Sequence, residues 1–223
     1  MINNPEQSNN QESNIESNAW SETMAAAVPF GSGEQEKSQE KTLNPRVESL
    51  AIPLARDYAE KNYQKREDGT FEPAWRGVNG EKAYKNKSPE DLMADGMSEA
   101  DARAAVIDIA NQPYNEYSDY WKEQNRGGAE FLIKLIDERG EDTVASLDLE
   151  DDQVRAEYGD LIHENWISRN EWVKDPNYGD PALAVPFSEL SEAEQQKDID
   201  QLLVTQEWIR ANNSGDAEPG FTV

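Results

Sequence analysis

The chain contains no cysteine and a single histidine. Without cysteine there is neither a disulfide nor a thiolate metal site, and one imidazole excludes a histidine-cluster metal centre. Cations are scarce as well: 21 Lys and Arg stand against 46 Asp and Glu, a net charge of −25 over 223 residues. That balance argues against direct nucleic-acid binding and against an anionic membrane surface, both of which need clustered Lys and Arg. No apolar run approaches the roughly 18–20 residues needed to span a bilayer. The first residues show neither the basic stretch nor the apolar core of a secretory signal. The expectation is a soluble, cytoplasmic protein. There is no D-x-[DN]-x-[DN]-G loop, P-loop or G-x-S-x-G elbow. No catalytic residue, metal ligand or cofactor is therefore assigned, and the chain reads as a non-enzyme.

What is present is unevenly spread. Residues 1–44 are rich in Asn, Ser, Gln and Glu, and such a composition cannot bury enough apolar surface to offset the entropy of ordering. They read as a disordered N-terminal arm. Within it, Ala19 to Gly31 (AWSETMAAAVPFG) is an apolar island that reads as a docking peptide or simply as less polar arm. Beyond the arm, six Trp and eight Tyr supply ample core material. The acidic excess is concentrated late, with 23 acidic and 8 basic residues in 126–223.

Helical periodicity dominates from Pro45 onward. Val47, Leu50, Leu54 and Tyr58 recur at helical spacing, with Pro45 in the first turn and Pro53 as a possible kink. Residues 67–87 hold three glycines and no sustained period, which predicts a loop. Ser88-Pro-Glu-Asp91 and Ser98-Glu-Ala-Asp101 are helix starts. The second predicts a helix from Glu99 to about Gln112, with Ala104, Ile107 and Ala110 on one stripe. Pro113 then opens another through Tyr114, Tyr117, Tyr120 and Trp121, and Arg126-Gly-Gly128 interrupts it before Phe131, Leu132, Leu135 and Ile136. Two more helices follow, from about Asp151 to Trp172 and from Ser191 to about Ala211. The last has Ile199, Leu202, Leu203 and Ile209 inward. No stretch alternates with period 2, so the expected fold is mainly α. The organisation is an arm (1–44), a helical region (45–140), a C-terminal helical module (141–212) and a tail (213–223).

The C-terminal module carries the most specific pattern. It comprises Ile162-His163-Glu164-Asn165-Trp166, then Arg169, Trp172 and Tyr178-Gly179, then Pro181-Ala-Leu183. Val185-Pro186-Phe187-Ser188-Glu189-Leu190 comes next, followed by Glu192, Glu194, Lys197-Asp198 and Asp200. Taken in order, these residues resemble the ryanodine-receptor repeat (Ryr) domain, which also occurs in bacterial and phage proteins. The resemblance implies a helix-loop-helix module that packs two helices against a structured loop and works by binding, for microbial members of a small nucleotide-like ligand.

The residues can also be read without the family. His163, Trp166, Arg169 and Trp172 recur every three residues and so share a helical stripe. Pro186 and Phe187 stiffen the entry to the last helix. An aromatic wall with one Arg and one His suits a purine or sugar phosphate, so the candidate ligand-binding set is His163, Trp166, Arg169, Trp172, Tyr178, Pro186, Phe187, Lys197 and Asp198. The same residues equally read as core: Trp166 and Phe187 as loop-to-helix locks, His163 as a structural histidine, Lys197 and Asp198 as an ion pair. The function expected is non-enzymatic binding of a nucleotide-like ligand or of a host or viral protein. One alternative is an acidic phage-type inhibitor or DNA mimic, using Asp151, Asp152, Glu157 and Asp160 against a basic protein surface. The other is a minor structural or internal virion protein.

Overall fold

The computed structural model describes residues 44–176 and 179–214. The first helix, α1 (Pro45–Asn62), begins at Asn44, whose side chain accepts from the Arg46 amide. Pro53 lies inside α1 without ending it. A mid-helix proline costs about 3 kcal/mol, and here α1 is held by packing against two long helices, α4 (Asp119–Arg139) and α7 (Glu192–Ser214). Leu50 and Ala51 are fully buried in that contact. The Arg126 guanidinium of α4 grips Glu48 of α1 with two parallel bonds of 2.6 and 3.1 Å, so a paired charge also fixes the register.

Around these run α5 (Glu141–Ala145) and α6 (Asp152–Arg169), the latter started by Asp151, which accepts from the amides of Gln153 and Val154. One large core joins α1, α4, α5, α6 and α7 through Leu132, Ile136, Val144, Ile162, Trp166, Leu202 and Ile209. It draws on residues both before and after position 140. The short helices α2 (Pro89–Ala94) and α3 (Glu99–Ala105) pack on each other. Beside them β1 (Trp75–Gly77) and β2 (Val106–Asp108) pair antiparallel, with Arg76 opposite Ile107. Trp121 of α4 reaches this sheet, donating from Nε1 to the Gly77 carbonyl at 3.0 Å.

The mainly α expectation holds, but the Ryr-like module is corrected. The described residues are almost entirely helical with one two-stranded sheet, not the β-rich fold expected of a Ryr repeat. Other expectations change locally. The loop over 67–87 contains β1, and the helix expected from Glu99 to Gln112 stops at Ala105. Val106 and Ile107, β-branched and both buried, join the sheet instead, where branched side chains pack well. The Tyr114–Trp121 stretch is a 3-10 turn (Tyr114–Glu116) followed by α4, started by Ser118. Gly127 and Gly128 do not break α4, which runs through them for 21 residues. Leu203, expected inward, is the exposed large hydrophobic residue of α7, and buried Thr205 and Gln206 take inward positions. The arm through Leu43 and the tail beyond Ser214 lie outside the described residues. Among those described, no helix is long and apolar enough to cross a membrane.

Candidate functional site

The residues singled out in the sequence divide between the interior and the surface. His163 and Trp166 stack at 5.7 Å with planes 17° apart, and both are buried between α6 and α7. The imidazole has oxygen on both sides: Nε2 lies 3.0 Å from the Val185 carbonyl and Nδ1 3.2 Å from the Asp198 carboxylate. Burial alone would depress its pKa, but the Asp198 carboxylate and the carbonyls of Val185 and Leu183 outweigh that and raise it above 6.5. Asp198 is fully buried, and burial raises its carboxyl above the usual range despite the pull of His163 and Lys197. The two shifts favour opposite charge states for the pair. With an acceptor on each ring nitrogen, both must donate, and we place the proton on the imidazole.

Lys197 and Glu194 form a neighbouring ion pair at 2.6 Å, both side chains largely shielded. Gln201 donates to the other oxygen of Asp198 at 3.3 Å. Phe187 is buried with its ring against Gly159 of α6, while Pro186 is exposed. Arg169 is not on the His163–Trp166 side. It is exposed, bonds Asn165 at 3.0 Å, and lies over Gly127 of α4. Trp172 is half-buried, donating to Asn170 under the Lys82 ammonium. Tyr178 lies outside the described residues. The structure thus brings together His163, Trp166, Phe187 and Asp198 as a buried polar and aromatic centre. Arg169, Trp172 and Pro186 lie apart from it.

Of the acidic set, Asp151, Asp152, Glu157 and Asp160 are all exposed. Asp151 is occupied as the cap of α6, and Glu157 pairs with Arg139 at 3.3 Å. Among the described residues no group of three or more His, Asp or Glu is arranged to hold a metal ion.

An open concavity lies elsewhere, between α1 and the segment after β2. It encloses about 420 Å³ and is walled by Ala55, Arg56 and Ala59 on one side and by Phe71, Tyr114 and Tyr117 on the other. The two tyrosine rings lie 5.5 Å apart, and Tyr117 is fixed by donating its hydroxyl to the Ile109 carbonyl at 2.6 Å. At the rim Glu60 is paired with Lys65 at 2.9 Å. The Arg56 side chain forms no hydrogen bond or ion pair with another described residue. In a chain with two acids per base, a guanidinium with no counter-charge among the described residues, beside aromatic walls, favours a negative group at this edge. Sequence reading missed this cleft because two of its aromatic walls, Tyr114 and Tyr117, lie more than 50 residues from α1. One signal was available: Ile52, Ala55 and Ala59 form a second apolar stripe on α1 that the core stripe of Val47, Leu50 and Leu54 leaves unexplained.

No family model, curated protein or solved structure matches the chain. The Ryr resemblance therefore ends at the residues quoted for it, and no ligand contact is carried over from that family.

Proposed function

We propose that this is a non-enzymatic, cytoplasmic protein-binding module. Its cleft between α1 and the 113–117 segment receives an apolar segment of a partner in which a carboxylate neighbours an aromatic or aliphatic anchor. The observation that carries this is Arg56, a cation with no ion-pair partner among the described residues, at the edge of a cleft with three aromatic walls. The aromatic rings supply apolar area and flat faces for an anchor side chain. The guanidinium offers paired donors to a carboxylate. A peptide library displayed against the full-length protein tests the reading. The expected result is enrichment of sequences with Asp or Glu beside a large apolar residue, with binding lost on Arg56→Glu and weakened at least tenfold on Tyr117→Ala, about 1.4 kcal/mol. Enrichment that ignores both substitutions, or none at all, would overturn it.

A second reading rests on the exposed acids of α6. Asp152 and Asp160 form no ion pair with another described residue, whereas Glu157 is paired with Arg139 and Asp151 is occupied as the cap of α6. An acidic inhibitor would use this side against a basic protein. It requires a complex that weakens steeply between low and physiological salt and is abolished by Asp152→Lys with Asp160→Lys.

A further inference from the structure

The chain itself contains a segment of the chemistry that the cleft selects. Ala19 to Gly31 holds Trp20, Met24, Val28 and Phe30 and a single charged residue, Glu22. It lies outside the described residues. We propose that this segment docks in the cleft of its own molecule, with its apolar side chains against Phe71, Tyr114 and Tyr117 and Glu22 facing Arg56. This rests on the cleft being a recognition surface, and makes the arm a tethered competitor for the partner.

Three arguments support this occupant. The match is chemical: the cleft offers aromatic walls and one cation with no ion-pair partner among the described residues, and the segment offers apolar side chains and one anion. The connection is short enough. Twelve residues lie between Gly31 and Asn44, and the connection can span about 43 Å when extended. From Pro45 to Arg56 α1 advances only about 17 Å, so the arm folds back with slack. Tethering then supplies an effective concentration on the order of millimolar, at which a small contact is populated. Charge also favours this occupant over a second copy, because two chains of −25 repel one another.

The absence of cysteine makes the test clean. Ser17→Cys in the full-length protein, carrying a nitroxide, places a single paramagnetic probe next to the island. The amide signals of Ala55, Arg56, Ala59 and Tyr117 should lose most of their intensity. Adding Trp20→Ser with Phe30→Ser, which alters no residue of the cleft, should restore them several-fold, and Arg56→Glu should restore them in part. Undiminished signals would overturn the proposal. So would broadening that arises only between molecules in a mixture of spin-labelled and isotope-labelled chains. If library peptides still bind in an Arg56-dependent way while the arm stays away, the arm's docking falls and the function of the cleft stands. If neither binds, both fall.

Discussion

The Phe187 ring rests directly on Gly159 of α6, with no room for a β-carbon between them. Both residues are buried. A glycine inside a helix normally weakens it by about 1 kcal/mol relative to alanine. Here it lets the turn before α7 press an aromatic ring onto the helix backbone. Gly159→Ala should therefore destabilise the protein despite the gain in helix propensity, by about 1–3 kcal/mol as for other overpacked sites. Urea unfolding measures this, and Phe187→Leu in the same chain should recover part of the loss. A neutral or stabilising Gly159→Ala would mean that the two elements do not meet as described.

Gly128 of α4 predicts the opposite sign. A β-carbon there would find Gln201 Oε1 at 3.7 Å and Arg169 Nη2 at 3.8 Å, ordinary contact distances at the ends of flexible side chains. Gly128→Ala should stabilise by about 0.4–1 kcal/mol through lower unfolded-state entropy and better helix propensity. A rise of a few degrees in thermal midpoint is the expected readout. A fall would show that α4 approaches its neighbours more closely at this point.

These two glycines illustrate what was legible in the sequence. Local signals were read well: the starts at Ser88, Ser98 and about Asp151 depend on a side chain and the next three amides, all contiguous. Gly127 and Gly128 misled because a glycine pair reads as a break when the partner helix is unseen. Their tolerance inside α4 comes from α6, whose Arg169 lies over Gly127. Val106 to Asp108 misled for the same reason, since a strand of three residues is too short to show alternation and is defined by Trp75 to Gly77 opposite it. The stripe from His163 to Trp172 assumed one continuous helix, yet α6 ends at Arg169, and Trp172 falls in a 3-10 turn. The cleft needed three-dimensional proximity between α1 and residues 110–117, for which sequence spacing carries no signal.

The buried pair of His163 and Asp198 predicts strong non-additivity. Removing one partner leaves the other buried without its counter-charge, which costs about 3–5 kcal/mol, whereas replacing both by apolar groups is often near neutral. Asp198→Leu alone should fall in that range. His163→Leu with Asp198→Leu should recover part of it: Trp166 and core aliphatics border the site, while the Val185 carbonyl and Gln201 lose their partners. A denaturant double-mutant cycle reads the coupling. Additive losses would mean that the two side chains do not interact.

The same pair sets a pH dependence whose sign follows from the shift of His163. Its folded pKa lies above the unfolded value of 6.5, so the folded state holds the proton more tightly than the unfolded chain does. The resulting stability is fully present below pH 6.5 and is lost as pH rises through the folded pKa. Asp198, also raised, acts with the same sign at lower pH: stability declines as pH climbs from about 3.8 through its folded value. Because the chain has a single histidine, the neutral window belongs to one imidazole. Its side-chain NMR signals should titrate above 6.5, and the unfolding free energy should fall from pH 6 to pH 8. His163→Gln should lower stability at pH 6 more than at pH 8 and flatten that slope. Parallel curves for the two proteins, or an imidazole titrating at or below 6.5, would place the proton elsewhere and remove the ion pair from the core.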